Sequence, residues 1–196
     1  MLLERLADRP HAAGSTRSAF FFDLSCPFSY LTAERVERAL GDVDWVPSTF
    51  GHEPGEICPD AIRRAERQAC ELQLPLVWPE RFPAAVPSAL RAAAYAAEVG
   101  SGARFALAAS RLAFCGGYDL EDREILADAA GAAGLSVDEC LAAAADPGRD
   151  VRLEATARNL RASGVLRLPA IRIGRRWLWG EQMLSQARPL LRNAAS

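Results

Sequence analysis

The chain has 196 residues, half of them hydrophobic, and a formal net charge of −2. That is enough for one sizeable core, or for a domain carrying a large insertion, in a soluble globular protein. No window approaches the roughly eighteen continuous apolar residues of a membrane span, and the opening MLLERLADRPHAAGSTR mixes charge with apolar residues instead of building a signal-peptide core, so a cytoplasmic protein is expected.

Five cysteines, at 26, 58, 70, 115 and 140, are widely spaced without a Cys-x-x-Cys pair, and the only histidines are His11 and His52. This pattern supports neither a disulfide framework nor a metal site. All 23 basic residues are arginine, which excludes lysine chemistry. Ten arginines between Arg149 and Arg192 face only Asp150, Glu154 and Glu181, a balance that suits either an anionic small molecule or a solvated helix face. Nucleic acid is not expected, because no motif or aromatic interleaving accompanies the charge.

Residues 18–24, SAFFFDL, form an apolar run of the kind that makes a strand buried on both faces. Pro27 suits the first position of a helix, where its missing N–H has no partner to lose, and Phe28, Leu31, Val36, Ala39 and Leu40 then share one face down to Gly41. VDWVPSTF, 43–50, reads as a second strand, giving strand, helix, strand, the start of a parallel α/β unit.

From 59 to 146 the strand signal gives way to helices starting at Pro59, Pro87 and Ser101, with a capping box of Ser136 and Glu139 and stops at Gly134 and Pro147-Gly148. The α/β pattern then resumes with a helix over 150–163, strands at PAIRIG and RWLW, and a last helix from about Glu181. One α/β domain split by a helical insertion is predicted.

Cys26 falls at the mouth of the first helix. Unpaired N–H groups and the positive end of the helix dipole favour thiolate there, and such sites lower a cysteine from about 8.5 into the range of roughly 3.5–7.5. A small buried core cysteine is the alternative. Ser29, one turn on, is placed either to donate to that sulfur or to bond back to its own helix. Asp23 either tunes the pocket or is satisfied by loop N–H groups. Cys58, Cys70, Cys115 and Cys140 read as packing residues.

The CPFSYL turn after an apolar strand and the stretch GVLRLPAIRIGRRWLWGEQML resemble the thioredoxin-fold family of DsbA-type oxidoreductases, kappa-class glutathione transferases and 2-hydroxychromene-2-carboxylate isomerases. The last two groups are the most similar. The resemblance implies a thioredoxin-like α/β fold made of 18–54 and 149–194, an inserted all-helical domain over 55–148, and an N-terminal extension, 1–17. It implies that Cys26 stands where the transferases and isomerases carry the serine that bonds the sulfur of glutathione, and Ser29 where DsbA-type proteins keep their second cysteine. Cys26 and Ser29 are thus the expected catalytic pair.

The resemblance further implies that Pro169 is a cis-proline, with Leu168 before it offering backbone hydrogen bonds to a thiol ligand. Phe28 and Trp78 would border the substrate cleft, with core packing the alternative for Trp78, and Gly180, Glu181 and Gln182 would receive a carboxylate at the start of the last helix. Where glutathione-binding relatives carry Asp then Arg, this chain has Gln182 and Met183.

Three functions follow. One is a thiol-dependent oxidoreductase or isomerase with Cys26 as its reactive centre. Another is a transferase or isomerase that uses glutathione or another low-molecular-weight thiol, with Cys26 orienting the cofactor sulfur. The third is a binding module without chemistry. A small-molecule substrate or thiol is the expected partner, a homodimer is implied by resemblance, and no metal or membrane is expected.

Overall fold

The computed structural model describes residues 17–49, 58–180 and 183–194. His11, His52, Glu181, Gln182 and nearly all of the N-terminal extension lie outside the described residues.

The all-apolar strand β1 (Ala19–Phe22) is followed at once by α1 (Pro27–Leu40) and then β2 (Asp44–Pro47). Five helices come next: α2 (Pro59–Leu72), α3 (Pro87–Glu98), α4 (Gly102–Phe114), α5 (Arg123–Ala132) and α6 (Val137–Ala144). A short 3-10 turn leads into α7 (Asp150–Ala162), after which β3 (Ala170–Ile173), β4 (Arg176–Trp179) and α8 (Met183–Ala194) complete the chain. The second strand is shorter than the apolar run 43–50 predicts, and the last strand coincides with RWLW.

Among the described residues four strands form one mixed sheet in the order β2-β1-β3-β4. β1 lies parallel to β2 and antiparallel to β3, and β3 is antiparallel to β4. Its central position explains why AFFF has no polar alternation: every residue of β1 is buried. Phe20 and Phe22 point to one face, where both rings meet Trp45. Phe21 points to the other, against Trp177.

The face of Phe20 and Phe22 is covered by an apolar cluster that continues through α1, α8 and the helices between β2 and β3. The opposite face is smaller and takes Leu160 of α7 together with Val165 and Leu168. The helices between the strands pack largely through alanine: Ala89, Ala92, Ala93 and Ala96 of α3 and Ala106 and Ala109 of α4 are fully buried. Small side chains let these helices approach closely.

Helix boundaries follow the local chemistry. Proline occupies the first turn of α1, α2 and α3. The Asp122 carboxylate caps α5 by accepting from the Glu124 N–H. Of the predicted capping box only one half forms: Ser136 accepts from the Glu139 N–H, while the Glu139 carboxylate accepts from the Tyr95 hydroxyl at 2.6 Å. The stronger charge-assisted bond to a neighbouring helix displaces the local one. α1 stops at Gly41, whose φ of +75° only glycine adopts readily.

Candidate active site

The hydrogen-bonded turn between β1 and α1 fixes Cys26. Its N–H donates to the Asp23 carbonyl at 3.1 Å, its own carbonyl accepts from the N–H groups of Ser29 and Tyr30, and Pro27 follows at the first helical position. Across the turn, the peptide bond between Leu168 and Pro169 is cis, as the resemblance implies, and the Cys26 thiol donates to the Leu168 carbonyl at 3.8 Å. Two segments far apart in sequence meet here because β1 and β3 are paired neighbours in the sheet.

Cys26 forms part of the wall of a cavity of about 410 Å³, a size suited to a small organic ligand. α1 contributes Pro27 and Phe28, α2 contributes Ala61 and Ile62, and the 73–86 loop contributes Trp78 and Phe82, whose ring centroids lie 4.6 Å apart. Val86 and Leu90 continue the apolar lining toward Leu153 and Leu168. Polar groups at the wall include Thr49, Arg64 and Arg167. Asp150, also at the wall, is held by Arg91 through paired bonds of 2.6 and 2.7 Å.

The sulfur does not match the thiolate expectation. Cys26 is 4% exposed, and burial pushes its thiol up to about 11, reinforced by the nearby Asp23 carboxylate. The Ser29 N–H, the Ser29 hydroxyl and the Phe28 N–H act in the opposite direction and do not outweigh the burial. The helix mouth is present, but burial removes most of the solvent contact that a thiolate needs.

Ser29 is buried beneath the turn rather than on the cavity wall. Its hydroxyl oxygen accepts from the Asp23 N–H at 3.2 Å, and the hydroxyl is placed to donate to the Cys26 sulfur. Asp23 takes the loop-satisfied form: one carboxylate oxygen accepts from both the N–H and the hydroxyl of Ser25, at 2.8 and 2.7 Å.

Phe28, Trp78 and Leu168 all reach the cavity, whereas Pro169 and Gly180 do not line it. Phe28 is therefore half-buried at the cavity instead of packing with Leu31 and Val36. Trp78 is also half-buried and donates its indole N–H to Glu66 at 3.1 Å. Gly180, with φ of +90°, closes β4 beside the Arg167 guanidinium. Tyr30 turns away from the cavity, donating to the Pro75 carbonyl at 2.9 Å and meeting the Cys115 sulfur at 3.2 Å.

The reading of the other four cysteines as packing residues holds for the buried Cys140 and for Cys115, which packs against the core, but not for Cys58 and Cys70. Cys58 and Cys70 are exposed and Cys115 is half-buried. Cys58, moreover, lies on the same cavity as Cys26. The signal was present in the sequence: ICPD repeats the Cys-Pro of SCPF at a second helix start. Among the described residues no group of three or more His, Cys, Asp or Glu side chains could hold a metal ion, and no helix is long and apolar enough to cross a membrane.

A buried strand, a cysteine at the following helix mouth and a facing cis-proline on a mixed sheet define a thioredoxin-like protein. Residues 19–192 match the model of the DSBA-like thioredoxin domain, and the chain belongs to that family. No curated protein sequence matches it.

Solved structures show the same fold. A 2-hydroxychromene-2-carboxylate isomerase is 16% identical with a TM-score of 0.70, covering 91% of this chain and 95% of its own. A probable DsbA oxidoreductase from Streptomyces coelicolor is 21% identical with a TM-score of 0.74, covering 92% of this chain and 90% of its own. The cytosolic disulfide reductase DsbM from Pseudomonas aeruginosa, solved with GSH, is 18% identical with a TM-score of 0.67, covering 91% of this chain and 98% of its own.

Proposed function

We propose that the protein is a thiol-dependent oxidoreductase or isomerase acting on a small organic molecule, with Cys26 as the reacting group. The observation that carries this reading is the position of the Cys26 sulfur, on the wall of a largely apolar cavity and against the Leu168 carbonyl. Phe28 and Trp78 hold the apolar body of the ligand, while Arg64 and Arg167 suit an anionic group on it. Ser29 acts as a positioning residue, fixing the Asp23 backbone and lowering the cost of a charge on sulfur.

Loss of the Cys26 proton gives a thiolate that attacks a disulfide sulfur or an electrophilic carbon. Because the thiol is pushed up to about 11, only a small fraction reacts at neutral pH, and the rate should climb with pH.

The same protonated thiol favours a second reading. A neutral S–H is a hydrogen-bond donor, able to orient the sulfur of glutathione or another small thiol, and Arg64 and Arg167 at the same wall suit that cofactor's carboxylates. Exchange between hydroxyethyl disulfide and reduced glutathione, measured with the parent protein and with Cys26→Ser, separates the two. Loss of activity in the variant supports Cys26 as the reacting group. Retained activity that saturates with glutathione supports the cofactor reading. No exchange above background and no thiol binding by the parent protein removes both.

A further inference from the structure

We propose that Cys58 is the second thiol of this site, so that the Cys-x-x-Cys pair missing from the chain is replaced by a pair of cysteines contributed by two helix mouths. The inference rests on the reading of Cys26 as the reacting thiol.

The two positions are built alike. Each cysteine immediately precedes a proline that opens a helix of 14 residues, and each carbonyl accepts first-turn N–H bonds from the third and fourth residues on. The two helices pack against each other. More than the cysteines converge: Pro27 and Phe28 from the first turn of α1 and Ala61 and Ile62 from the first turn of α2 line the same cavity. Cys70, Cys115 and Cys140 do not line it.

The pair is asymmetric in access, with Cys26 buried and Cys58 exposed, and both are free thiols. A cysteine of each kind is what a two-step exchange uses. One thiol holds the substrate sulfur inside the cavity, and the other arrives from the solvent side.

The chemistry balances without a further redox group. The Cys26 thiolate attacks one sulfur of a small organic disulfide, a Cys26–substrate disulfide forms, and the departing thiolate takes up the proton that Cys26 lost. The Cys58 thiolate then attacks the Cys26 sulfur, releasing the second substrate half as a thiol after it takes the Cys58 proton. The substrate disulfide is reduced by two electrons, and the cysteine pair is oxidised to a Cys26–Cys58 disulfide. Closing that bond requires the two Cα atoms to come to about 4.4–6.8 Å.

The experiment treats the reduced full chain with hydroxyethyl disulfide, quenches it with acid, and maps tryptic peptides by mass spectrometry. The arginines place Cys26 on 18–35 and Cys58 on 39–63, and each remaining cysteine on a peptide of its own. In the parent protein the expected product is a disulfide joining 18–35 to 39–63, with loss of the hydroxyethylthio adduct. In Cys58→Ser, which keeps a good helix cap, the adduct should stay on Cys26. Cys70→Ser should behave as the parent does.

If the parent retains the Cys26 adduct as Cys58→Ser does, or links Cys26 to another cysteine, Cys58 is not the second thiol while Cys26 still reacts. If Cys26 takes no adduct and enters no disulfide in either protein, both this inference and the reading of Cys26 as the reacting thiol fall.

Discussion

The sulfur of Cys26 and the carbonyl oxygen of Leu168 lie 3.8 Å apart across 142 residues of chain, an arrangement in which the thiol can donate and the carbonyl can only accept. Deprotonation would set a negative sulfur against a negative carbonyl end, inside a site where burial already pushes the thiol up to about 11. Alkylation of Cys26 by iodoacetamide, followed peptide by peptide, should therefore rise with pH to a midpoint near 11, well beyond the ~8.5 of a free cysteine. The exposed Cys58 and Cys70 serve as references within the same protein. A midpoint below that of a free cysteine would mean that the helix mouth outweighs burial after all.

Ser29 links the sulfur to the strand end. Removing its hydroxyl in Ser29→Ala leaves the buried Asp23 N–H without the acceptor at 3.2 Å, a loss of about 1–3 kcal/mol in unfolding free energy. It also deletes one of the groups that lower the Cys26 value, so the alkylation midpoint should move further up. Urea unfolding and the labelling profile test the two effects separately.

Trp78 and Phe82 form a tilted aromatic pair at the cavity, with Trp78 only half-buried. Trp78→Ala should weaken binding of an aromatic probe such as anilinonaphthalene sulfonate about tenfold, the equivalent of roughly 1.4 kcal/mol. The thermal midpoint should change little. A fluorescence titration beside a melting curve checks both, and unchanged probe affinity would place the probe elsewhere.

How much of this was legible in the sequence depends on the range of the interaction involved. The strand AFFF, the helix opened by Pro27 and the RWLW strand were readable because burial on both faces and a proline at the first turn leave local marks. The state of Cys26 was not. The helix mouth that favours thiolate is local, but the burial that opposes it comes from the whole surrounding fold. Cys58 reads as a packing residue in the sequence because nothing local sets it apart, whereas its place on the cavity of Cys26 depends on the packing of α1 on α2. Local spacing places Glu139 in its own helix cap, because Tyr95, whose hydroxyl it accepts instead, is 44 residues away.

Arg91 fixes the start of α7 at the cavity wall through two bonds to Asp150, and ties it to the end of α6 through a third to the Ala144 carbonyl. Arg91→Ala should cost about 1–3 kcal/mol by unfolding at neutral pH. The pair holds the Asp150 carboxyl below its usual value. Its contribution is therefore present above the ordinary carboxylate range and is lost as the pH falls through the lowered value. The stability gap between parent and variant should accordingly narrow in acid, and a gap independent of pH would assign the effect to packing of the arginine stem alone.

The buried alanines behind the cavity wall set how far that wall can rearrange. Val86 and Leu90 face the cavity from the start of α3, and Ala89, Ala92, Ala93 and Ala96 of that helix are fully enclosed. Alanine has no rotamer to change, so ordering this layer costs almost no side-chain entropy and leaves it no alternative packing to adopt. Leu90, the side chain of α3 that reaches the cavity beyond its first turn, therefore rests on a backing that does not rearrange. The α3 side of the cavity is backed by a rigid layer, whereas the aromatic pair on the preceding loop, half-buried at Trp78, has more freedom to move.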